Sequence, residues 1–288
     1  FLVLVAGLVA ASWLAVKESR QRRAAQANAA HAEWASYRNA IAAADRPHLC
    51  EVVAELHEAD LGDLIGALEP EDRVKLVELT GTDFDFSALN EVDDAVREEI
   101  LEELEPETVA EGVRELESDD AVELLEGLDA EDKEEILDKL PPAERAPLER
   151  SLLYPENSAG RRMQSEFIAV PPDWTVGQAI DYMRDTPDLP DRFYEIYAVD
   201  AKQHWQGAVS LDTLLRARRP VPLSELIEED RRRVPVLDDL AEVARMFGKY
   251  NLVAAPVVDT TNRLVGVITS DDVVDVIEEE ADEDLKAL

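Results

Sequence analysis

The sequence predicts a mainly α protein with an α/β portion: an acidic superhelix of short helices, then two mixed strand–helix modules in tandem, then the start of a long connecting helix. Three observations predict it. Leucines recur on a twelve-residue grid between positions 56 and 140, with apolar pairs at a fixed offset. Beyond residue 154, strand-like runs ending in Asp occur twice, each with a Gly seven residues after the Asp. The last eighteen residues carry apolar side chains at helical spacing on one face and carboxylates on the other.

A chain of 288 residues is long enough for two or three modest domains. It carries 65 acidic and 29 basic side chains, a formal charge of -36, which argues against nucleic acid as a partner and is compatible with metal cations. Disorder and halophilic adaptation also produce acidic chains, and Arg far outnumbers Lys here. Against disorder, 46% of the residues are hydrophobic and recur with clear periods. Halophilic adaptation does not explain acid concentrated in particular helices. Cys50 is the single cysteine, so the chain has no disulfide framework and no thiolate metal site.

The first segment, residues 1–23, joins an apolar run over 1–16 to the basic flank of Lys17, Arg20, Arg22 and Arg23. The run is short for a spanning helix. Three readings fit it: a membrane anchor, a gene-model artefact and a signal peptide, although no small-residue cleavage site stands out. If it spans, the basic flank places the remainder of the chain in the cytoplasm. Residues 24–45 form a polar, Ala-rich linker or helix.

Over 46–153 the chain repeats. Leu56, Leu68, Leu104, Leu116, Leu128 and Leu140 lie on one grid, Val92 holds a further point, and Thr80 departs from it. Leu64-Ile65, Leu76-Val77, Ile100-Leu101, Leu124-Leu125 and Ile136-Leu137 are the apolar pairs. Acidic, often proline-containing segments follow several grid points, at 69–72, 105–108, 117–120 and 141–144. Pro and carboxylates favour a helix's first turn, where N–H groups are free and the dipole is positive. Each unit therefore reads as one short helix plus a turn. Such helices are unstable alone and must stack to bury their leucines. The acids serve as caps, or a few of them, such as Asp119 and Asp120, face another acidic surface and share cations with it.

Residues 154–219 and 220–278 read as the two copies of the α/β module. Strands are expected at 193–200, 204–210, 252–259 and 263–270, with helices at 175–183, 211–215, 239–247 and from 271 onward. The tandem resembles the cystathionine-β-synthase (CBS) domain pair, a β-α-β-β-α module that binds adenine nucleotides between its copies. Gly266-Val-Ile-Thr-Ser-Asp-Asp272 carries the resemblance most specifically. It implies that Thr269 and Asp272 can hold phosphate and ribose. In the first copy Ser210 fits, but Thr213 stands where the Asp would be.

In the terminal helix, Val273, Val274, Val276, Ile277, Ala281, Leu285 and Leu288 form the apolar face, and Asp272, Asp275, Glu279 and Glu283 the other. At an effective dielectric of about 20, two carboxylates about 5 Å apart repel by roughly 3 kcal/mol. A stripe of this kind calls for cations. The spacing of His57, His204 and Cys50 does not suit zinc, and no EF-hand loop is present.

The order of parts, an acidic helical superhelix, Tyr154-Pro-Glu-Asn-Ser-Ala-Gly160, a CBS pair and an acidic helix beginning at Asp272, resembles the cytosolic portion of the MgtE family of magnesium transporters and channels, over about residues 46–288. The resemblance implies a homodimer through the CBS pair at the cytoplasmic face of the membrane, with residues 279–288 starting the helix that leads to a C-terminal pore domain absent from this chain. It implies that Mg²⁺ at the boundary of superhelix and CBS pair, and near the connecting helix, draws the domains together and closes the pore. The implied ligands are Asp239, Asp272, Asp275, Glu280, Glu283 and Asp284. Asn251 stands where some members have Asp and can offer a carbonyl oxygen. From the superhelix, Glu117, Asp119 and Asp120 are the candidates. The rival expectations are a stand-alone CBS-pair regulator sensing ATP or another adenine nucleotide, and an interaction scaffold, since similar superhelices occur in flagellar motor switch proteins. An enzyme is not expected, because no nucleophile–base set or Walker loop is present.

One ion at about ten times its dissociation constant adds only about 1.4 kcal/mol to the bound state. Moving a two-state gate from 1:99 to 99:1 takes roughly 5.5 kcal/mol. About four weak sites acting together meet that requirement and one does not.

Overall fold

The computed structural model describes residues 35–187, 189–190, 192–228, 232–274 and 276–277. The apolar run at 1–16 and the candidate ligands Asp275, Glu280, Glu283 and Asp284 lie outside the described residues. Among the described residues, no helix is long and apolar enough to cross a membrane. Two compact units divide between Gly112 and Val113.

The first unit is built of short helices: α1 (residues 35–43), α2 (Arg46–Glu55), α3 (Glu58–Ala67), α4 (Pro70–Thr80), α5 (Asp94–Glu103) and most of α6 (Pro106–Val113). The grid leucines stop these helices. Leu56, Leu68 and Leu104 are C-cap residues in extended conformation, and Leu68 and Leu104 are buried. The next helix begins within two residues of each leucine. One residue thus terminates a helix, anchors it in the core and sets the turn. The apolar pairs at 64–65, 76–77 and 100–101 are buried as well.

The grid fails at Thr80 for a visible reason. The Thr80 hydroxyl donates to the carbonyls of Leu76 and Val77, and Gly81 comes next at φ 58°. Two 3₁₀ turns, Gly81–Asp83 and Phe86–Leu89, then replace the expected helix. They place Phe84 and Phe86 edge to face, with ring centroids 5.3 Å apart. A methyl group on Gly112 would fall 2.3 Å from the Phe86 ring.

Acids cap fewer helices than the sequence suggested. Asp45 and Asp129 accept N–H bonds as N-caps, but the Glu69 and Glu117 side chains do not, and the cap of α3 is His57 through Nδ1.

The second unit holds α7 (Ser118–Glu126), α8 (Ala130–Lys139) and α9 (Pro142–Leu152), and then both α/β modules. The repeat logic persists, with Leu124, Leu125, Ile136, Leu137 and the C-cap Leu140 buried. In the first module, β1 (Ala169–Val170) pairs parallel with β2 (Glu195–Val199), and β2 antiparallel with β3 (Trp205–Ser210). The second module repeats this with β4 (Val234–Pro235), β5 (Ala254–Val258) and β6 (Leu264–Thr269). Helices α10 (Val176–Asp185) and α11 (Leu211–Arg216) belong to the first module, and α12 (Leu240–Tyr250) and α13 (from residue 270) to the second. The two-residue strands β1 and β4 are too short to carry an alternating signal, and the sequence pattern alone does not locate them.

The repeated Asp-to-Gly spacing has a structural cause. Asp200 and Asp259 close the β2–β3 and β5–β6 hairpins by accepting backbone N–H bonds from residues 202 and 204, and 261 and 263. Gly207 and Gly266 then let another segment cross the sheet. Gly207 lies at φ 143°, and a Cβ there would meet Ile227 at 2.3 Å. A Cβ on Gly266 would meet Met163 at 2.7 Å. The crossing segments are exchanged: Gln164, ahead of β1, pairs with Val267 of β6, and Glu228, ahead of β4, donates to Ala208 of β3. The sheets also share a core, in which Tyr197, Val199 and Trp205 meet Val258, Leu264 and Val267.

Helix α13 departs from the face expected for it. Val273 and Val276 are buried at 7% and 6% exposure, whereas Val274 and Ile277 are about half exposed. The buried stripe is one i, i+3 row rather than the full apolar arc, and Asp272 adjoins that row.

The glycines give a paired test. Gly207→Ala forces both a strained φ and an overlap with Ile227, and should destabilise the protein by about 3 kcal/mol in urea unfolding. Gly66→Ala and Gly248→Ala, on helix surfaces with no atom within 4 Å of the added methyl, should each stabilise it by about 0.5–1 kcal/mol.

Candidate metal centre

The candidate site lies within the second unit, where the start of α7 meets the start of α13. Helix α7 opens on Glu117, Ser118, Asp119 and Asp120. Carboxylates suit this first turn, where backbone N–H groups are unpaired. The cap is supplied from elsewhere: Glu166 accepts from the Ser118 backbone N–H at 3.2 Å and from its hydroxyl at 2.8 Å. The Ser118 hydroxyl in turn accepts from the Ser165 N–H at 2.7 Å. The Glu117 side chain makes no cap bond. Glu117, Asp119 and Asp120 present carboxylate oxygens within 4.8 Å of one another.

Asp272 arrives from α13. Its carboxylate accepts from the Thr269 backbone N–H at 2.8 Å and from the Thr269 hydroxyl at 2.9 Å, a local cap that fixes its direction. The Thr269 hydroxyl also bonds to Asp271. A small cavity is lined by Asp119, Asp120, Glu123, Arg162 and Asp272.

The electrostatics are unusual for carboxylates. Burial pushes Asp119 well above the ordinary carboxylate range, and the neighbouring charges of Asp272, Asp120 and Glu117 push it further, against a bond from the Asp120 N–H. Burial raises Asp272 to about 7, opposed by the two Thr269 donors, while Asp271 adds repulsion and a hydrogen bond from the Asp119 side chain opposes it. Asp119 and Asp272 thus line one cavity with both carboxyls held above the ordinary carboxylate range. Glu117 is raised by burial first and by Glu166 and Asp271 next, with Gln164 pulling the other way.

The cations nearby include Arg192, which acts on Glu117, and the arginines of the strap that begins after Tyr154. Ala159 and Gly160 donate to the carbonyls of Asp238 and Val236, which docks the strap on the second module. A Cβ on Gly160 would come within 2.5 Å of Val236. Arg161 donates to the Leu152 carbonyl at 2.7 Å and approaches Glu126 at 3.4 Å. Arg162 pairs with Glu123 at 2.7 Å and approaches Glu126 at 3.6 Å.

The donor set is all oxygen, without imidazole or thiolate. It fits a hard divalent cation that keeps several waters. Such a cation would offset the repulsion among these carboxylates.

The structure brings together Glu117, Asp119, Asp120 and Asp272. It places two other candidates in backbone roles: Asp239 caps α12 by accepting from Ala241 N–H at 3.0 Å, and Asn251 ends α12 in the left-handed conformation. Sequence reasoning missed Glu123, Arg162 and Glu166. Glu123 stands one helical turn beyond Asp119, and Arg161-Arg162 is an adjacent basic pair in a strongly acidic chain; both are signals that could have been read.

Two family models match this chain: the MgtE intracellular N domain over residues 56–157 and the CBS domain over residues 223–279. The magnesium transporter MgtE of Thermus thermophilus is 37% identical over 149 residues, covering 52% of this chain and 33% of that protein. The Enterococcus faecalis magnesium transporter MgtE is 31% identical over 145 residues, covering 50% of this chain and 32% of that protein. The chain therefore spans about a third of the length of these relatives. Among solved structures, the cytosolic domain of the Mg²⁺ channel MgtE in complex with ATP matches with a TM-score of 0.77 at 31% identity, covering 84% of this chain and 99% of that one. The soluble part of a magnesium transporter matches with a TM-score of 0.74 at 27% identity, covering 86% and 98%. The chain belongs to the MgtE family, as its N domain and then a CBS pair.

Proposed function

We propose that this chain is the Mg²⁺-sensing regulatory region of a magnesium transporter or channel, in which Mg²⁺ bridging of acidic surfaces favours a closed pore. The observation that carries the reading is the meeting of Asp119 on α7, buried, with Asp272 on α13, half-buried, at one cavity, although they lie more than 150 positions apart in sequence. Nothing in packing requires like charges there. A divalent cation makes the arrangement favourable and couples the helical repeats to the helix leaving the CBS pair. The reading places the region at the cytoplasmic face of the membrane, as a homodimer through its CBS pair, with a pore domain elsewhere in the protein and no enzymatic role. Bridging one gap is one weak contribution, and the further acids of the sequence between 275 and 284 would supply others.

A second reading, adenine-nucleotide sensing, draws on the MgtE cytosolic domain solved with ATP and on the Thr269 and Asp272 positions. In this chain the Thr269 hydroxyl donates toward carboxylates, which favours the cation as the ligand of that corner.

Millimolar Mg²⁺ should raise the thermal midpoint of the chain saturably, with Ca²⁺, Na⁺ at matched ionic strength and ATP as comparisons. A response to ATP without Mg²⁺, and none to Mg²⁺ alone, would favour the nucleotide reading. Asp119→Asn and Asp272→Asn should each stabilise the metal-free protein at pH 8, by about 2 kcal/mol, because a buried like charge is removed. Each should also flatten the Mg²⁺ response in the same thermal scan.

The pH dependence has a definite sign. Asp272 holds its proton to about pH 7 in the metal-free fold, whereas an unfolded Asp releases it near about pH 4. The folded state binds more protons in that window, so stability is greatest below about pH 4 as far as this group is concerned and falls as pH rises through about 7. In chelator, the unfolding free energy should decline between about pH 5 and pH 8. Saturating Mg²⁺, which displaces the proton, should reduce that decline.

A further inference from the structure

Resting on the metal-site reading, we propose that Arg162 is a tethered counter-cation that holds the divalent-ion affinity of the α7–α13 site in the weak range by withholding Glu123 from the ion.

The geometry is specific. Arg162 and Glu123 both line the cavity that Asp119, Asp120 and Asp272 enclose. Glu123 comes four residues after Asp119 on α7, so both carboxylates lie on the same helix face. Without Arg162, Glu123 would join those three carboxylates as a further ligand available to a cation in that cavity. With Arg162 present, it is engaged in a 2.7 Å charge-assisted bond. Both side chains are largely buried, Arg162 at 14% and Glu123 at 21% exposure, so the pair is screened less than a surface bridge.

Arg162 cannot move away freely. The strap that carries it is held by backbone bonds from Ala159 and Gly160 to the second module and from Gln164 to β6. Arg161 beside it is bound to the Leu152 carbonyl and to Glu126. The guanidinium is always charged. It therefore acts on an incoming ion in two ways: its charge repels a second cation, and its fork occupies a potential ligand. A sensor of an ion abundant in its surroundings needs weak sites, and an internal cation achieves this without deleting a carboxylate.

A purely structural anchor predicts something different. If Arg162 only fastened the strap to α7, breaking the pair from either side would loosen the site and weaken ion binding. A withholding cation predicts opposite signs. Arg162→Gln should tighten Mg²⁺ binding by about five- to tenfold, because a repelling charge is lost and Glu123 is released. Glu123→Gln should weaken it severalfold, because the guanidinium keeps Glu126 at 3.6 Å but loses the nearer carboxylate that offsets its charge beside the cavity. The double variant should return near the wild-type affinity. Arg162→Lys, which keeps the charge, should stay close to wild type.

The experiment is calorimetric titration of the 288-residue chain and these four variants with MgCl₂, with metal-free thermal midpoints to show that each is folded. Opposite signs for the two single variants establish the inference. Weakening in both, or no change in Arg162→Gln while wild type binds, overturns it and leaves the metal-site reading standing. Binding by Arg162→Gln alone establishes the inference in its strongest form. Absence of binding by every variant overturns the metal-site reading and this inference with it.

Discussion

Mutual repulsion between carboxylates that the fold itself forces together is the constraint on which the rest of this molecule depends. Asp119 is delivered by the first turn of α7, and Asp272 by the turn from β6 into α13. Neither position is free to drift. Glu166 clamps the start of α7 through Ser118, and Thr269 clamps Asp272 through two donors. With both carboxyls held above the ordinary range, each is costly to ionise where it stands, most of all above neutral pH. The arginine strap, the borrowed cap and the grouping of acids at one helix start all serve to hold charge where solvent cannot dissipate it.

Much of the fold was legible because its signals are periodic. The twelve-residue grid gave the helices, and the structure adds that the leucines are the stops between them. The interruption at Thr80 was visible in the sequence as a missing leucine; its cause, Gly81 at positive φ and the two 3₁₀ turns beyond it, was not. The twin Asp-to-Gly spacing correctly marked two hairpins. It did not reveal that the glycines exist for segments from the other module. β1 and β4, two residues each, have no period to read.

The site was legible only where its ligand candidates cluster in sequence. Glu117, Asp119 and Asp120 form a run, and Asp272 begins the acidic helix, so composition marked them. Asp239 caps α12 through its side chain and Asn251 ends it through its left-handed backbone, roles that a charge pattern does not reveal. Glu166 and Arg162 act on α7 across more than 35 positions of chain. Their partners are set by the docking of the strap, a tertiary event without a local signature.

The exchange of Gln164 and Glu228 between the two sheets has a consequence for how this protein comes into being. Each module completes its sheet with backbone from outside itself, so neither has all its hydrogen-bond partners when synthesised alone. A nascent first module emerging from the ribosome presents β3 with an open edge until residue 228 has been made. Gln164, already synthesised, waits longer still, until Val267 arrives to pair with it. Cotranslational maturation should therefore be late and concerted for this half of the chain.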